Sequence, residues 1–157
     1  MVKEAGAFSP EPSWSDVEQY TRSLRDLIEA SGFQPDYHVW ISRGGIVPGV
    51  LLSHLMPWKP SFMVGVRKEG ERRVVQDSPH INWDALRDKK VLLVEDHLET
   101  GRSAIALKEH LESYGARVKL ACYSASDKSE INPDFVLARG VNIPPLYPWE
   151  RFRTPQP

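Results

Sequence analysis

Several features that define whole classes of protein are scarce in this chain. Its 157 residues include one cysteine, Cys122, which excludes an internal disulfide and a zinc site built from cysteines. Twenty basic residues nearly balance twenty-one acidic ones, and the net charge of -1 gives no electrostatic case for a nucleic-acid or membrane partner. No apolar run approaches the ~20 residues that cross a bilayer, and no signal-like segment follows Met1. We therefore expect a cytoplasmic protein whose anion-binding groups form a local patch.

The length and the order of apolar segments predict one α/β domain. The chain is long enough for a single compact domain with a sizeable core. Strand-like runs occur at residues 37–41, 61–66, 91–94, 118–123 and 135–137. They alternate with helical patterns, the first of which is expected to start at a capping box of Ser15 and Glu18. This alternation predicts a parallel central sheet flanked by helices, with a flexible arm over residues 1–12, the domain over 13–150 and a tail over 151–157.

An acidic pair follows the most apolar of these runs. The uninterrupted apolar residues 91–94 are typical of a central strand covered on both faces. Ligands of open α/β sheets bind beyond the carboxyl ends of the strands, which is where Glu95 and Asp96 stand. Two adjacent carboxylates can accept hydrogen bonds from neighbouring hydroxyls and can lie near a metal ion, but without such partners they repel each other. The pair therefore predicts a site for a vicinal diol.

The next four residues, Thr100, Gly101, Arg102 and Ser103, introduce a predicted helix. They combine a glycine, two hydroxyls and free backbone N–H groups at the positive end of the helix dipole, which favours a phosphate. A diol site and a phosphate site a few residues apart describe a ribose 5-phosphate.

Residues 91–103 resemble the signature of the type I phosphoribosyltransferases. That signature has four apolar residues, two acidic ones, three variable ones, then Thr-Gly, any residue, and Ser or Thr; every fixed position matches. The resemblance implies that Glu95 and Asp96 contact the ribose hydroxyls near Mg²⁺, and that the loop from Thr100 to Ser103 holds the 5-phosphate of phosphoribosyl pyrophosphate. It also implies a transferase that uses Mg²⁺ and forms a homodimer.

A glycine loop follows the strand predicted at residues 37–41. Two glycines, Gly44 and Gly45, let the backbone approach an anion closely, and Arg43 supplies a permanent cation for a leaving group whose charge grows. Together with Ser42, they resemble the pyrophosphate loop of the purine members of the family, where the pair matching Ser42 and Arg43 can carry a cis peptide bond. The resemblance makes Arg43 a candidate catalytic residue. Taken alone, Arg-Gly-Gly is equally typical of a tight strand-to-helix turn.

Residues 67–73 are rich in charge and are expected to form a small hood. Arg67, Lys68, Arg72 and Arg73 lie where the family has a flexible segment that closes over the reacting centre. Such a run is also typical of a solvated hairpin tip, and both roles stay open for each residue.

Three residues bear on the acceptor base by resemblance. Glu99 stands where the hypoxanthine-guanine and xanthine-guanine enzymes usually have an aspartate that contacts purine N7, which makes it a candidate general acid/base. The segment ending in Trp149 and Glu150 resembles the one that closes the base pocket, so Trp149 could lie against a base and Glu150 near a second Mg²⁺. The alternatives are a helix-dipole partner for Glu99 and an ordinary buried tryptophan for Trp149.

Besides Glu99, two further positions depart from the family pattern. The stacking aromatic residue would fall at Ile143 or Pro144, and the base-reading lysine would fall near Ser126, with Lys128 close by in sequence. A purine-like base is the expected acceptor, but its identity stays open. The alternative function is a non-catalytic regulator that binds phosphoribosyl pyrophosphate or a nucleotide on the same fold.

Overall fold

The computed structural model describes residues 8–152, which form a seven-stranded sheet with helices on both faces. The helices are α1 (Trp14–Ala30), α2 (Ile46–Leu55) and α3 (Arg102–Ser113). The strands are β1 (Tyr37–Ser42), β2 (Ser61–Glu69), β3 (Arg72–Val75), β4 (Lys90–Val94), β5 (His97–Leu98), β6 (Arg117–Ala125) and β7 (Phe135–Arg139). Short 3₁₀ turns lie at Trp83–Leu86 and Pro148–Glu150. Within this described part of the chain, none of the helices has the length and apolar character that a bilayer crossing requires.

The sheet is parallel except at one edge. β1 lies between β2 and β4, with Trp40 opposite Met63 on one side and opposite Val94 on the other. β6 pairs with β4 through its first half and with β5 and β7 through its second half. β3 runs antiparallel to β2. The predicted α/β class is confirmed, and the loops that follow β1 and β4 leave the sheet side by side at its carboxyl edge.

Alternate residues of β4 face two helical layers. Val91 and Leu93 belong to the core on the α3 face, whereas Leu92 and Val94 belong to the core beneath α1 and α2. All four side chains are fully buried. Burying a side chain of this size contributes about 1.5–3 kcal/mol, so the strand is a firm base for the loop that follows it.

The hairpin of β2 and β3 occupies the residues predicted as the hood. Its register pairs Lys68 with Arg73 near the tip. At its base, Val66 and Val75 pack against the core on the α3 face. The hairpin is therefore anchored at its base and charged at its tip, while its flexibility stays a prediction.

The first helix begins earlier than the sequence pattern predicts. The Ser13 hydroxyl accepts a hydrogen bond from the Asp16 N–H (3.1 Å), and the Asp16 carboxylate accepts one from the Ser13 N–H (2.7 Å). This capping box starts α1 at Trp14, so the box predicted at Ser15 and Glu18 is wrong. The same spacing of hydroxyl and acid occurs two residues upstream, where the chain enters the helix in an extended conformation.

Part of the expected N-terminal arm is packed onto the domain. Phe8 is 6% exposed and stacks on Tyr20, with ring centroids 4.4 Å apart. The Pro10 carbonyl accepts a hydrogen bond from the Leu146 N–H (2.8 Å). Residues 8–12 are therefore packed against the domain through Phe8, while the flexibility expected for the arm over residues 1–12 stays a prediction. Residues 1–7, and residues 153–157 of the expected tail, lie outside the described residues.

Candidate active site

The loops after β1 and β4 meet at the carboxyl edge of the sheet. A Cβ atom on Gly44 would lie 2.6 Å from Oδ1 of Asp96 and closer still to Oε1 of Glu95. A Cβ atom on Gly45 would collide with the backbone carbonyl of Val94. The absence of side chains at both positions is what lets the two loops touch. The structure therefore brings together the two segments singled out from the sequence.

The glycine loop turns directly into α2. The peptide bond between Ser42 and Arg43 is cis, which confirms the expectation drawn from the family resemblance. The Gly45 N–H donates to the Ile41 carbonyl (2.9 Å), and the Ile46 N–H donates to the Arg43 carbonyl (3.1 Å). The Arg43 side chain is exposed at this edge, so its cation is accessible to an anion bound over the glycines.

Three carboxylates influence one another at the centre of the site. Burial, followed by the charge of Asp96, raises the pKa of Glu95 well above its ordinary value, and Glu150 adds to the increase. Burial raises the pKa of Asp96 to about 6, and the charge of Glu150 acts in the same direction. The His97 N–H opposes this shift by donating to Oδ1 of Asp96 (2.6 Å). The ionised carboxylates therefore repel one another, and a bound cation or hydroxyl donors would reduce that repulsion.

The carboxylate cluster fits a magnesium ion that is held partly by substrate. Within residues 8–152, no three His, Cys, Asp or Glu side chains form a ready-made metal site. Mg²⁺ commonly takes only one or two protein carboxylates and completes its shell with water and substrate phosphates. Glu95 and Asp96 are two such carboxylates, and a bound cation would oppose the burial and the mutual repulsion that raise their pKa values.

The segment expected to hold a phosphate begins α3. Gly101 precedes the helix in the left-handed conformation, with φ of +73°. A cavity of about 160 Å³ is lined by Glu95 and residues 97–104. The first N–H groups of a helix have no acceptor within it, so they are available to an anion in this cavity. A larger cavity of about 420 Å³ lies between the α1–β1 and α2–β2 connections and contains none of these residues.

Arg102 is placed differently from the other residues of this segment. Its Nε lies 2.8 Å from Oε1 of Glu130, and its Nη1 lies 3.7 Å from Oε2 of Glu71. Its backbone N–H makes a long contact of 3.5 Å with Oγ1 of Thr100. The guanidinium is therefore engaged by two acids from other loops.

Glu99 lines the same cavity as the phosphate segment and is exposed. The N-cap of α3 is Gly101, so Glu99 stands two residues before the cap. Burial lowers the pKa of His97, and the negative charge of Glu99 partly offsets that decrease. Glu99 is therefore a carboxylate at the edge of the cavity, next to the groups expected to hold the ribose.

The C-terminal segment reaches the acidic pair. The Tyr147 hydroxyl lies 3.5 Å from the Asp96 carbonyl, and Oε2 of Glu150 accepts from the Tyr147 N–H (3.2 Å). Trp149 stacks on Tyr147, with ring centroids 4.6 Å apart and planes inclined by 4°. The Trp149 indole N–H lies close enough to the Asp96 carboxylate to lower its pKa. It makes no hydrogen bond of normal geometry among the described residues. One face of Trp149 is thus already covered by a tyrosine ring.

The positions that depart from the family pattern surround this segment. The Ser126 hydroxyl is buried and donates to Oδ1 of Asn142 (2.8 Å), so it is committed to the protein. Lys128 is exposed two residues further on. Ile143 is 78% exposed, and Pro144 is exposed as well. No aromatic ring stands at the two positions where the family pattern places one.

The sequence did not predict a buried network of polar side chains behind the site. His97 Nδ1 lies 2.8 Å from the Ser124 hydroxyl, which is fully buried and also interacts with the Tyr147 hydroxyl. His97 Nε2 is buried and has no hydrogen-bond partner among the described residues. This network connects His97, the residue after the acidic pair, to β6 and to the C-terminal segment. The only sequence signal was a polar residue between Asp96 and Leu98.

Comparison with known families defines the class of protein. The phosphoribosyl transferase domain family matches residues 14–155, which is most of the chain. The matched region contains both loops, the carboxylate cluster and the C-terminal segment. This chain therefore belongs to the phosphoribosyltransferase family.

Individual relatives are consistent with this assignment. The hypoxanthine-guanine phosphoribosyltransferase of Lactococcus lactis is 33% identical over 87 residues, which are 54% of this chain and 44% of the relative, so the match spans less than half of that protein. The purine phosphoribosyltransferase of Pyrococcus horikoshii has 27% identity and a TM-score of 0.78, over 94% of this chain and 97% of the other. The xanthine-guanine-hypoxanthine enzyme of Helicobacter pylori shares the fold (TM-score 0.75, 18% identity, covering 89% and 92%).

Proposed function

We propose that this protein transfers the 5-phosphoribosyl group of phosphoribosyl pyrophosphate to a ring nitrogen of a purine-like base and releases pyrophosphate. The observation that carries this proposal is the packing of Gly44 against Glu95 and Asp96. It sets a candidate pyrophosphate loop beside a candidate ribose site, as the two halves of this one substrate require.

The ribose phosphate is assigned to the segment after β4. Glu95 and Asp96 accept hydrogen bonds from the two ribose hydroxyls, which relieves the repulsion that raises their pKa values. The 5-phosphate lies in the cavity of about 160 Å³, held by the Thr100 and Ser103 hydroxyls and by backbone N–H groups from Gly101 onward. Holding the sugar at both ends fixes C1 for attack.

The leaving group is assigned to the glycine loop. As the bond from C1 to the pyrophosphate oxygen breaks, negative charge grows on pyrophosphate and positive charge on the ribose ring. Arg43 and the backbone of Ser42, Gly44 and Gly45 stabilise the departing charge. Mg²⁺ near Glu95 and Asp96, with Glu150 close to a second ion, supplies further charge neutralisation when bound.

The base is assigned to the region between Glu99 and the C-terminal segment. The attacking nitrogen forms its bond to C1 and loses its proton to the Glu99 carboxylate, which is exposed on the cavity. Trp149 contacts the base with the part of its ring that Tyr147 and the tilted Trp14 ring, 6.0 Å away between centroids, leave uncovered. The names of the relatives from Lactococcus lactis and Pyrococcus horikoshii support a purine. Lys128 is the candidate cation for a 6-oxo group, in place of the lysine expected near Ser126.

A homodimer and a cytoplasmic location complete the proposal. Val50 on α2 is 37% exposed, and Met63 on the neighbouring strand is 52% exposed. Because α2 follows the glycine loop directly, a second copy seated on these residues would brace that loop. Light scattering tests the dimer, with Val50→Lys as the disrupting variant, and cell fractionation tests the location.

The experiment is a pyrophosphate-release assay with Mg²⁺, phosphoribosyl pyrophosphate and a panel of purines, pyrimidines and other heterocycles. We expect turnover with at least one purine, and a loss of about 100-fold or more in Glu99→Gln because the base proton has no acceptor. The control is Glu109→Gln, an exposed acid on α3 that should leave turnover unchanged. Tight phosphoribosyl pyrophosphate binding without turnover on any base would instead support the non-catalytic regulator, which the transferase names of the relatives disfavour.

A further inference from the structure

The Arg102 guanidinium contacts two acidic side chains, and Arg102 also lines the phosphate cavity. It donates from Nε to Oε1 of Glu130 at 2.8 Å, and its Nη1 lies 3.7 Å from Glu71 at the hairpin tip. Arg102 is 44% exposed, Glu130 49% and Glu71 90%. Glu130 is thus the closer and less exposed of the two partners.

Glu130 belongs to the loop between β6 and β7, which packs on the phosphate segment at two further points. The Glu130 N–H donates to the Thr100 carbonyl (2.9 Å). A Cβ atom on Gly101 would lie 2.5 Å from Cγ2 of Ile131 and 2.9 Å from Oγ of Ser129. The loop therefore covers the turn that opens α3, and the Arg102–Glu130 pair lies at the same contact.

We propose that Arg102 and Glu130 are positioning residues: their ion pair fastens the β6–β7 loop onto the phosphate segment and so holds its backbone N–H groups in place for the 5-phosphate. The proposal rests on the phosphoribosyl site described above and removes the Arg102 side chain from the direct phosphate ligands. Its physical basis is that a phosphate site made of backbone N–H groups depends on the conformation of the turn that carries them.

The size of the effect follows from the exposure of the pair. Exposed ion pairs of good geometry shift an equilibrium by about twofold to fivefold. Loss of the pair should therefore weaken phosphoribosyl pyrophosphate binding by about that factor, while kcat at saturation stays the same because the pair does not contact the reacting atoms. If Arg102 were instead a direct phosphate ligand, its loss would weaken binding whether or not Glu130 is present.

A double-mutant cycle separates these two roles. Arg102→Met, Glu130→Gln and the double variant are compared with the wild type by calorimetric titration with phosphoribosyl pyrophosphate and Mg²⁺, and by kcat and KM. We expect each single variant to lose about twofold to fivefold in affinity, and the double variant to lose no more than either one. If Arg102→Met loses the same factor in the Glu130→Gln background as in the wild type, Arg102 does not act through Glu130 and the proposal is overturned.

A ligand-free readout keeps this test independent of the proposed function. The Glu130 N–H donates a hydrogen bond to the Thr100 carbonyl, which slows exchange of this hydrogen with solvent. The exchange rate, measured by NMR, should increase about twofold to fivefold in Arg102→Met. The matched control is Arg22→Met, which breaks the exposed 2.8 Å pair with Glu18 on α1 and should leave this exchange unchanged. Unchanged exchange in Arg102→Met would overturn the proposal. A wild type that does not bind phosphoribosyl pyrophosphate would refute the proposed function and leave the exchange result to decide the role of Arg102.

Discussion

Replacing Asp96 with asparagine should stabilise the ligand-free protein at neutral pH. Burial raises the pKa of Asp96 to about 6 from an ordinary value of 3.8, and the difference corresponds to about 3 kcal/mol. The folded state therefore binds this proton more tightly than the unfolded chain. The stability that the protonated carboxyl contributes is fully present below about pH 4 and is lost as the pH rises through about 6. Asp96→Asn removes the ionisation and should raise the free energy of unfolding near pH 8 by up to about 3 kcal/mol.

The assay is urea unfolding of the wild type and Asp96→Asn in the presence of a metal chelator. The advantage of the variant should be largest near pH 8 and fall below about 1 kcal/mol near pH 4. Asparagine keeps an oxygen that can accept from the His97 N–H, so that hydrogen bond is not lost. Asp84→Asn, at an exposed acid in the turn Trp83–Leu86, is the control and should show no such trend. A variant that is less stable than the wild type near pH 8 would refute this reasoning.

Other substitutions test the pH dependence of the fold and the two glycine contacts. Burial lowers the pKa of His38 to about 4, so the fold should lose up to about 3 kcal/mol as the pH falls from 6.5 towards 4, and His38→Leu should flatten that loss in acid denaturation. Gly44→Ala should lower kcat by about 100-fold in steady-state assays, because its Cβ would displace the Asp96 carboxylate 2.6 Å away. Gly101→Ala should cost about 1–3 kcal/mol in thermal unfolding, because φ is +73° and Ile131 occupies the space.

The fold class and the two loops could be predicted because their signals are local. The continuous apolar run of β4 requires a strand covered on both faces, and an acidic pair after such a strand must lie at the carboxyl edge of the sheet. The glycine loop could likewise be predicted from Gly44 and Gly45. Their close approach to Glu95 could not be predicted, because it requires β1 to pair with β4. Neither segment contains a signal for the order of the strands.

What the sequence could not show depends on pairs of residues far apart along the chain. Arg102 looked like a phosphate ligand because it stands at the start of a helix, and its pairing with Glu130 appears only when the β6–β7 loop is in place. Phe8 looked like part of a loose arm because a single apolar residue has no periodicity of its own. The His97 contact with Ser124 joins positions 27 residues apart and has no local signature.

The central claim is that the acidic pair binds the ribose of phosphoribosyl pyrophosphate. Its most direct test is the affinity of this ligand, with Mg²⁺, for the wild type and for Asp96→Asn, measured by calorimetry near pH 8. We predict that the wild type binds and that the variant loses about tenfold or more in affinity while being the more stable of the two proteins, since an amide accepts hydroxyl hydrogen bonds more weakly than a carboxylate. Equal affinities in the two proteins would contradict the assignment.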